Sequence, residues 1–429
     1  MGLEMSWEPI FVFSIFVFTY FIFISGKIRS SLIAFSMGLL IILSKAVKGF
    51  NLQDLGRIID FNTIGLLIGM MIIVGVMKTT GVFQYVAIKV VKLVKANFRL
   101  IFVFFSITIF VFSAFLDNVT TILLFSPLIF LITDTLEIDP TIFMLVAMFS
   151  ANIGGTATLI GDPPNILVGS ASKKSFLDFI GYMGPIALLM LAIVLSFYTA
   201  FFKSYFKVNK EKLNNFLTMD PKKVITDRRL FLSSLIVFFG VIIGFLLHEM
   251  MDYEMALIAL FGASVILIVS KKSFEEISAS IEWDTIFFFI GLFTLAYAME
   301  EVGIIRVFTR LILEFSDHPL ILGILIIWLS GIISAFIGAV PTVAVMIPIV
   351  KALVNLGLPQ DLWWALAMGA SFGGNGTITG TAANMIGSGL LEKHLNTKAN
   401  YLKFMKHGFP VMLLCLLISS FYYLIRMLW

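Results

Sequence analysis

The sequence predicts an all-α polytopic membrane protein made of two inverted-topology repeats, with about 10 transmembrane helices, two re-entrant hairpins and two broken helices. Three observations carry that expectation. The chain of 429 residues is 59% hydrophobic and 13% charged, with a mean hydropathy of +1.03, whereas soluble domains carry about 25% charged residues. A fifteen-residue stretch occurs twice, as ANIGGTATLIGDPPN over 151–165 and ASFGGNGTITGTAAN over 370–384, with Ala, Gly, Gly, Thr, Gly and Asn in common. The apolar segments also divide into two halves, each with an odd number of crossings, so the second half runs inverted relative to the first.

In chain order, apolar spans fall near 9–25, 31–48, 62–78, 141–171, 179–202, 230–248, 254–270, 284–300, 362–391 and 408–428. Each reaches or approaches the length that crosses a bilayer. Continuous blocks such as VFSIFVFTYFIFI exclude the alternating pattern of an outer-membrane barrel. Two further blocks, 100–133 and 320–355, are interrupted at SAFLDNVTT and SAFIGAVPT and read as hairpins. Stretches near 82–96 and 303–316 are amphipathic and suit the membrane interface. The organisation is therefore a first repeat over 1–202, a basic linker over 203–229 and a second repeat over 230–429. The halves align beyond the fifteen-mers: Thr63 with Thr285, Gly69 with Gly291, Gly81 with Gly303, Thr121 with Thr342, and Pro127 with Pro348. No cleavable signal is expected, because only Met1–Glu8 precede a long first span.

Basic residues assign the sides. Twenty-one of the 30 Lys and Arg fall on the side holding Lys27, Arg29, Lys78 to Arg99, the linker, Lys271, Lys272 and 393–406, which the positive-inside rule makes cytoplasmic. Both termini are then external. This distribution follows topology and argues against a nucleic-acid surface. The single cysteine, Cys415, excludes an internal disulfide or a cysteine metal cluster. HExxH and GxSxG are absent, which speaks against a membrane-embedded enzyme.

Polar, glycine-rich backbone at membrane depth is tolerated where it is buried in protein or lines a cavity, and matched interruptions point to a transporter's binding site. The first tip offers Asp117, Asn118, Thr120 and Thr121, and its facing broken helix Asn152, Thr156, Thr158, Asp162 and Asn165. The second tip offers Thr342, and its broken helix Ser371, Asn375, Thr377, Thr379, Thr381 and Asn384. Asp117 and Asp162 are the carboxylates of these elements. An ionised Asp at mid-membrane costs about 2.5–3.5 kcal/mol, so it marks an ion or proton pathway unless it merely caps a half-helix. Asp60, Glu282 and Asp284 stand at span starts, where acids suit the helix dipole. His248, His318, His394 and His407 are expected in loops, and Lys78, Glu300 and Glu301 at helix ends.

The runs FSAFLDNVTTILLFSPL and ANIGGTATLIGDPPNILV, with LWWALAMGASFGGNGTITGTAAN, resemble the ion transporter superfamily. Within it the likeness is to the branch of arsenite permeases, sodium–proton antiporters and the P protein, with divalent-anion sodium symporters and citrate carriers more distant. It covers nearly the whole chain. It implies a scaffold domain and a mobile transport domain, a homodimer, a pump ATPase subunit if the solute is arsenite, and residence in the plasma membrane as a multi-pass protein. It also places solute between hairpin tips and unwound loops, at Gly155 and Gly374 together with Asn118, Thr120, Thr121, Thr156, Thr158, Asn165, Thr342, Asn375, Thr377 and Asn384. Many relatives carry Asp-Asn at the second tip; here Gly338 and Ala339 stand there, and Ser371 replaces an acid.

The expected function is secondary transport of a small anion or oxyanion-type solute, arsenite, antimonite or carboxylate, coupled to H+ or Na+. No other cofactor is expected. Coupling falls to Asp117, Asn118 and Asp162, with Na+ near Asp117 and Asn118 as the candidate ion site. The alternatives are a Na+/H+ antiporter and, further off, a channel.

Overall fold

The structure is a computed structural model and describes residues 7–25, 28–47, 49–50, 52–94, 97–208, 220–315, 318–397 and 400–428. The middle of the linker, Lys27 and Lys95 lie outside the described residues. Twenty α-helices follow one another, and no strand occurs among the described residues.

The first repeat runs α1 (Trp7–Ser25), α2 (Ser30–Ser44), the short α3 (Leu55–Ile58), α4 (Phe61–Thr79), α5 (Val82–Leu93), α6 (Phe98–Ser113), α7 (Asn118–Leu136), α8 (Thr141–Thr156), α9 (Pro163–Ser172) and α10 (Phe176–Phe201). The second runs α11 (Arg228–Met251), α12 (Met255–Ser270), the short α13 (Phe274–Ser278), α14 (Trp283–Glu301), α15 (Ile304–Phe315), α16 (Pro319–Ile337), α17 (Ala339–Asn355), α18 (Leu362–Gly373), α19 (Ala382–Leu395) and α20 (Tyr401–Leu428). Among the described residues seven helices are long and apolar enough to cross a membrane, and six shorter apolar ones accompany them. The helices α3 and α13 were not expected from the sequence. Three of the four histidines also sit on helices and not in loops: His248 in the last turn of α11, His394 in the last turn of α19 and His407 within α20. The loop reading failed there because the helices extend a turn or more past their apolar stretches.

The breaks fall where the fifteen-mers place them, for local reasons. After α8 the chain unwinds over 157–162, and Pro163–Pro164 restarts it. Proline suits the first helical turn, where its missing N–H was unpaired in any case. After α18 two short 3-10 turns, Gly374–Gly376 and Ile378–Gly380, precede α19, whose cap Thr381 accepts from the Asn384 amide at 3.1 Å. The two tips differ. Between α6 and α7 the break spans 114–117, and Asp117 caps α7 by accepting from the Val119 and Thr120 amides at 2.9 and 2.8 Å. Between α16 and α17 it is the single residue Gly338, at φ +108° and ψ 150°. That region is open to glycine and strained for side chains, so the second tip turns on backbone freedom where the first turns on a carboxylate cap.

The repeats are interleaved. Helix α2 of the first packs along α14 of the second, and α12 of the second packs along α4 of the first. Small residues permit the close approach: Gly69 lies against the Ala259 backbone, and Gly291 against that of Ala34. The broken helices and hairpins form the other body, with α6 on α8 and α16 on α18. The basic linker returns to the α4–α5 turn, where the Thr226 hydroxyl donates to the Thr79 carbonyl at 2.8 Å.

Candidate functional site

The two tips and the two unwound loops meet around one chamber of about 640 Å³. Asp117, Asn118 and Asp162 line it from the first repeat; Ile337–Pro341 and Thr379–Ala382 line it from the second. Its mouth is formed by Ile28–Ser31, Glu282, Asp284 and Thr285.

A buried chain of amides runs from this chamber across the repeat boundary. The Asn118 side-chain nitrogen donates to Asp162 Oδ1 at 3.2 Å and to Asn152 Oδ1 at 3.3 Å. The Asn152 nitrogen donates onward to Asn375 Oδ1 at 3.0 Å and Asn384 Oδ1 at 2.9 Å. Asn384 in turn donates to the Gly374 and Thr377 carbonyls, both at 2.9 Å. The mirror contact exists in the first repeat. Asn165 donates to the Thr156 and Thr158 carbonyls at 3.1 and 2.9 Å, and accepts from Ser371 at 3.3 Å. Each repeat's unwound carbonyls are thus held by an asparagine, and each asparagine is held by the other repeat. Such a network satisfies groups that would otherwise be costly in a dry interior.

The threonines do similar work. Thr158 donates to the Ala114 carbonyl and Thr377 to that of Ala335, tying each loop to its own tip. Ser113 to the Ala151 carbonyl (2.7 Å) and Ser334 to that of Ala370 (2.6 Å) repeat the theme. Thr121, Thr156 and Thr342 bond carbonyls of their own helices, from Asp117, Asn152 and Gly338. Gly155 and Gly161 face one another so closely that a Cβ on either would lie 2.7 Å from the other's carbonyl oxygen. Gly374 and Gly380 repeat that approach in the second loop.

Of the residues singled out from the sequence, Asp117, Asn118 and Asp162 line the chamber. Thr121, Gly155, Thr156, Thr158, Asn165, Thr342, Gly374, Asn375, Thr377 and Asn384 are gathered in the same region, buried, and do not line it. Thr120, half-buried, contributes its amide to the Asp117 cap. The mouth residues were not foreseen as part of the site. Asp284 is engaged by Arg29 at 3.2 Å and by the Ser31 hydroxyl at 2.7 Å, while among the described residues Glu282 accepts from the Thr285 hydroxyl, at 3.1 Å. Their signal was the alignment of Glu282 and Thr285 with Asp60 and Thr63. Among the described residues no three His, Cys, Asp or Glu side chains converge as a metal cluster, so the chamber's four carboxylates are spread over its wall.

A two-repeat helical bundle with paired unwound loops around an internal chamber is the architecture of a secondary membrane transporter. Comparison with known proteins gives the family. The citrate transporter family matches residues 20–369, and this protein belongs to it. It is 31% identical to the 46 kDa membrane protein of Mycobacterium leprae over 97% of this chain and 98% of that one. It is 29% identical to the P protein of Mus musculus over 86% of this chain, about half (54%) of that protein's length. The crystal structure of the Alcanivorax borkumensis YdaH transporter shares the fold, with a TM-score of 0.61 at 14% identity over 92% of this chain and 98% of that chain. The chain is a multi-pass membrane transporter of the ion transporter superfamily.

Proposed function

We propose that this transporter moves a small carboxylate-type anion such as citrate together with cations, H+ or Na+, that bind at the Asp117 side of the chamber. The observation that carries the reading is the chamber's acidic wall. Asp117, Asp162, Glu282 and Asp284 face it, and among the described residues the basic side chain on its wall, Arg29, is bound to Asp284. A bare polyanion entering this wall meets like charges in a partly desolvated space, where repulsion is far stronger than in water. The anion enters once cations or protons have offset that charge, which makes coupling a consequence of electrostatics. The first-turn N–H groups of Ala339 and Val340 in α17, and those of Thr381 and Ala382 at the start of α19, lie on the chamber wall and suit carboxylate oxygens. The half-helix pairs α6–α7 and α16–α17 act as re-entrant hairpins in this scheme, and the distribution of basic residues supports a cytoplasmic mouth.

The same acidic wall favours a second reading, a cation-only Na+/H+ exchange cycle. Proteoliposomes separate the two. Labelled citrate, with and without Mg2+, labelled arsenite and 22Na+ are offered under imposed Na+ or pH gradients. Saturable, gradient-driven citrate accumulation is expected. Movement of 22Na+ with no citrate or arsenite uptake under either gradient overturns the anion reading.

A further inference from the structure

Glu282 and Asp60 occupy one position in the two repeats, each three residues before the matched threonine, yet they are used differently. Asp60 spends its carboxylate on capping α4, accepting from the Asn62 and Thr63 amides at 3.0 and 3.3 Å and from the Thr63 hydroxyl at 2.5 Å. Glu282 is one methylene longer and caps no backbone amide of α14. It reaches the chamber, on the wall facing Asp117, with Thr285 as its hydrogen-bond donor.

Among the described residues the charged groups around it are few. Asp117 and Asp162 come from the first repeat's tip and loop, Asp284 from its own helix, and Arg29 from the α1–α2 connection, already committed to Asp284. Helix α4 presents Met71, whose sulfur accepts from the Glu282 amide at 3.4 Å. The preceding α13 carries Glu275 and Glu276, both exposed. No cationic side chain pairs with Glu282 among these groups.

We propose that Glu282 is a proton-binding site of its own, at the chamber mouth, whose occupancy is tied to the charge on Asp117. Resting on the cation-coupled reading above, the cycle is simple. While Asp117 is bare, its charge keeps a proton on Glu282. When a cation or proton settles at Asp117, that cause is removed, the Glu282 O–H bond breaks, and the proton leaves to mouth water with the carboxylate remaining. The neighbouring Asp117 charge, and then burial, push Glu282 up to about 8 from the usual carboxylate range.

Infrared titration of the purified protein tests this without any solute. In an Asp162→Asn background, which removes the other buried carboxyl of the chamber, the protein is expected to show a protonated-carboxyl band that disappears near neutral to alkaline pH, and adding Glu282→Gln to abolish it. Asp117→Asn, which removes the charge and keeps the cap, is expected to retain the band and shift its midpoint down by about 1 pH unit or more. Asp60→Asn leaves both unchanged. In that background a band retained with Glu282→Gln, or an unmoved midpoint with Asp117→Asn, overturns the proposal. Citrate uptake by the wild type is scored separately, so failure of the transport reading is visible apart from failure of the proton site.

Discussion

Replacing Asn165 with alanine distinguishes an asparagine that binds solute from one that holds the protein together. The side chain is fully buried. Its nitrogen serves two unwound carbonyls at good distance, Thr156 at 3.1 Å and Thr158 at 2.9 Å, and a third, Gly155, at 3.4 Å. Its oxygen accepts from Ser371. Truncation strands the two close carbonyls, each at roughly 1–3 kcal/mol when left unpaired in the interior, and opens a small cavity. A loss of about 3–4 kcal/mol follows from the lower half of that range plus the cavity. Asn165→Asp is expected to be no better, because it turns an acceptor oxygen toward those carbonyls. Denaturation in detergent micelles, followed by a buried-tryptophan signal, reads the difference. If Asn165→Ala keeps stability within about 0.5 kcal/mol of wild type, the ordinary range for a substitution away from any structural feature, while weakening solute binding, the staple account is wrong and direct contact with solute is the better explanation.

Three other outcomes are expected. Gly161→Ala should fold poorly, since its Cβ would lie 2.6 Å from the Ser113 carbonyl oxygen and 2.7 Å from that of Gly155, both backbone atoms that cannot yield; overpacking of this kind costs about 1–3 kcal/mol, and normal yield and stability would refute the close approach. Asp117→Asn keeps a competent N-cap, so expression and stability hold while the dependence of uptake on a Na+ or pH gradient disappears; retained coupling would remove Asp117 from the mechanism. Stability should fall as pH rises from the free-carboxylate range through about 8, because Glu282 binds its proton more tightly folded than unfolded; Glu282→Gln should flatten that slope, measured by denaturation at a series of pH values.

Much of this architecture was legible because hydropathy and duplication are one-dimensional signals. The breaks at 157–162 and 374–381 lie inside the matched fifteen-mers, and glycine, threonine and proline announce them directly. The orientation of side chains within the breaks was not legible. Thr158, Thr377, Asn165 and Asn384 carry the donor groups that a solute needs, and an unwound backbone needs the same groups. Sequence spacing does not say which partner they face. Glu282 illustrates the reverse case. An acid at a helix start reads as a cap, which Asp60 is, and only the three-dimensional comparison of the two repeats shows that Glu282 leaves α14 uncapped and faces the chamber. Gly338, where the resemblance suggests an acid, likewise has a backbone reason, the positive φ of a one-residue tip.

Both repeats are expected to bind cargo in the one chamber between the tips. Site-directed labelling tests it directly. Cys415 is fully buried and is replaced by alanine, and single cysteines are placed at Ala339 and Thr381 on the chamber wall. Citrate with Na+, at concentrations that saturate uptake, should slow modification of both positions by a small thiol reagent and leave a control cysteine at the exposed Leu356 unaffected. Equal modification rates with and without cargo, in protein that still transports it, would place the binding site elsewhere.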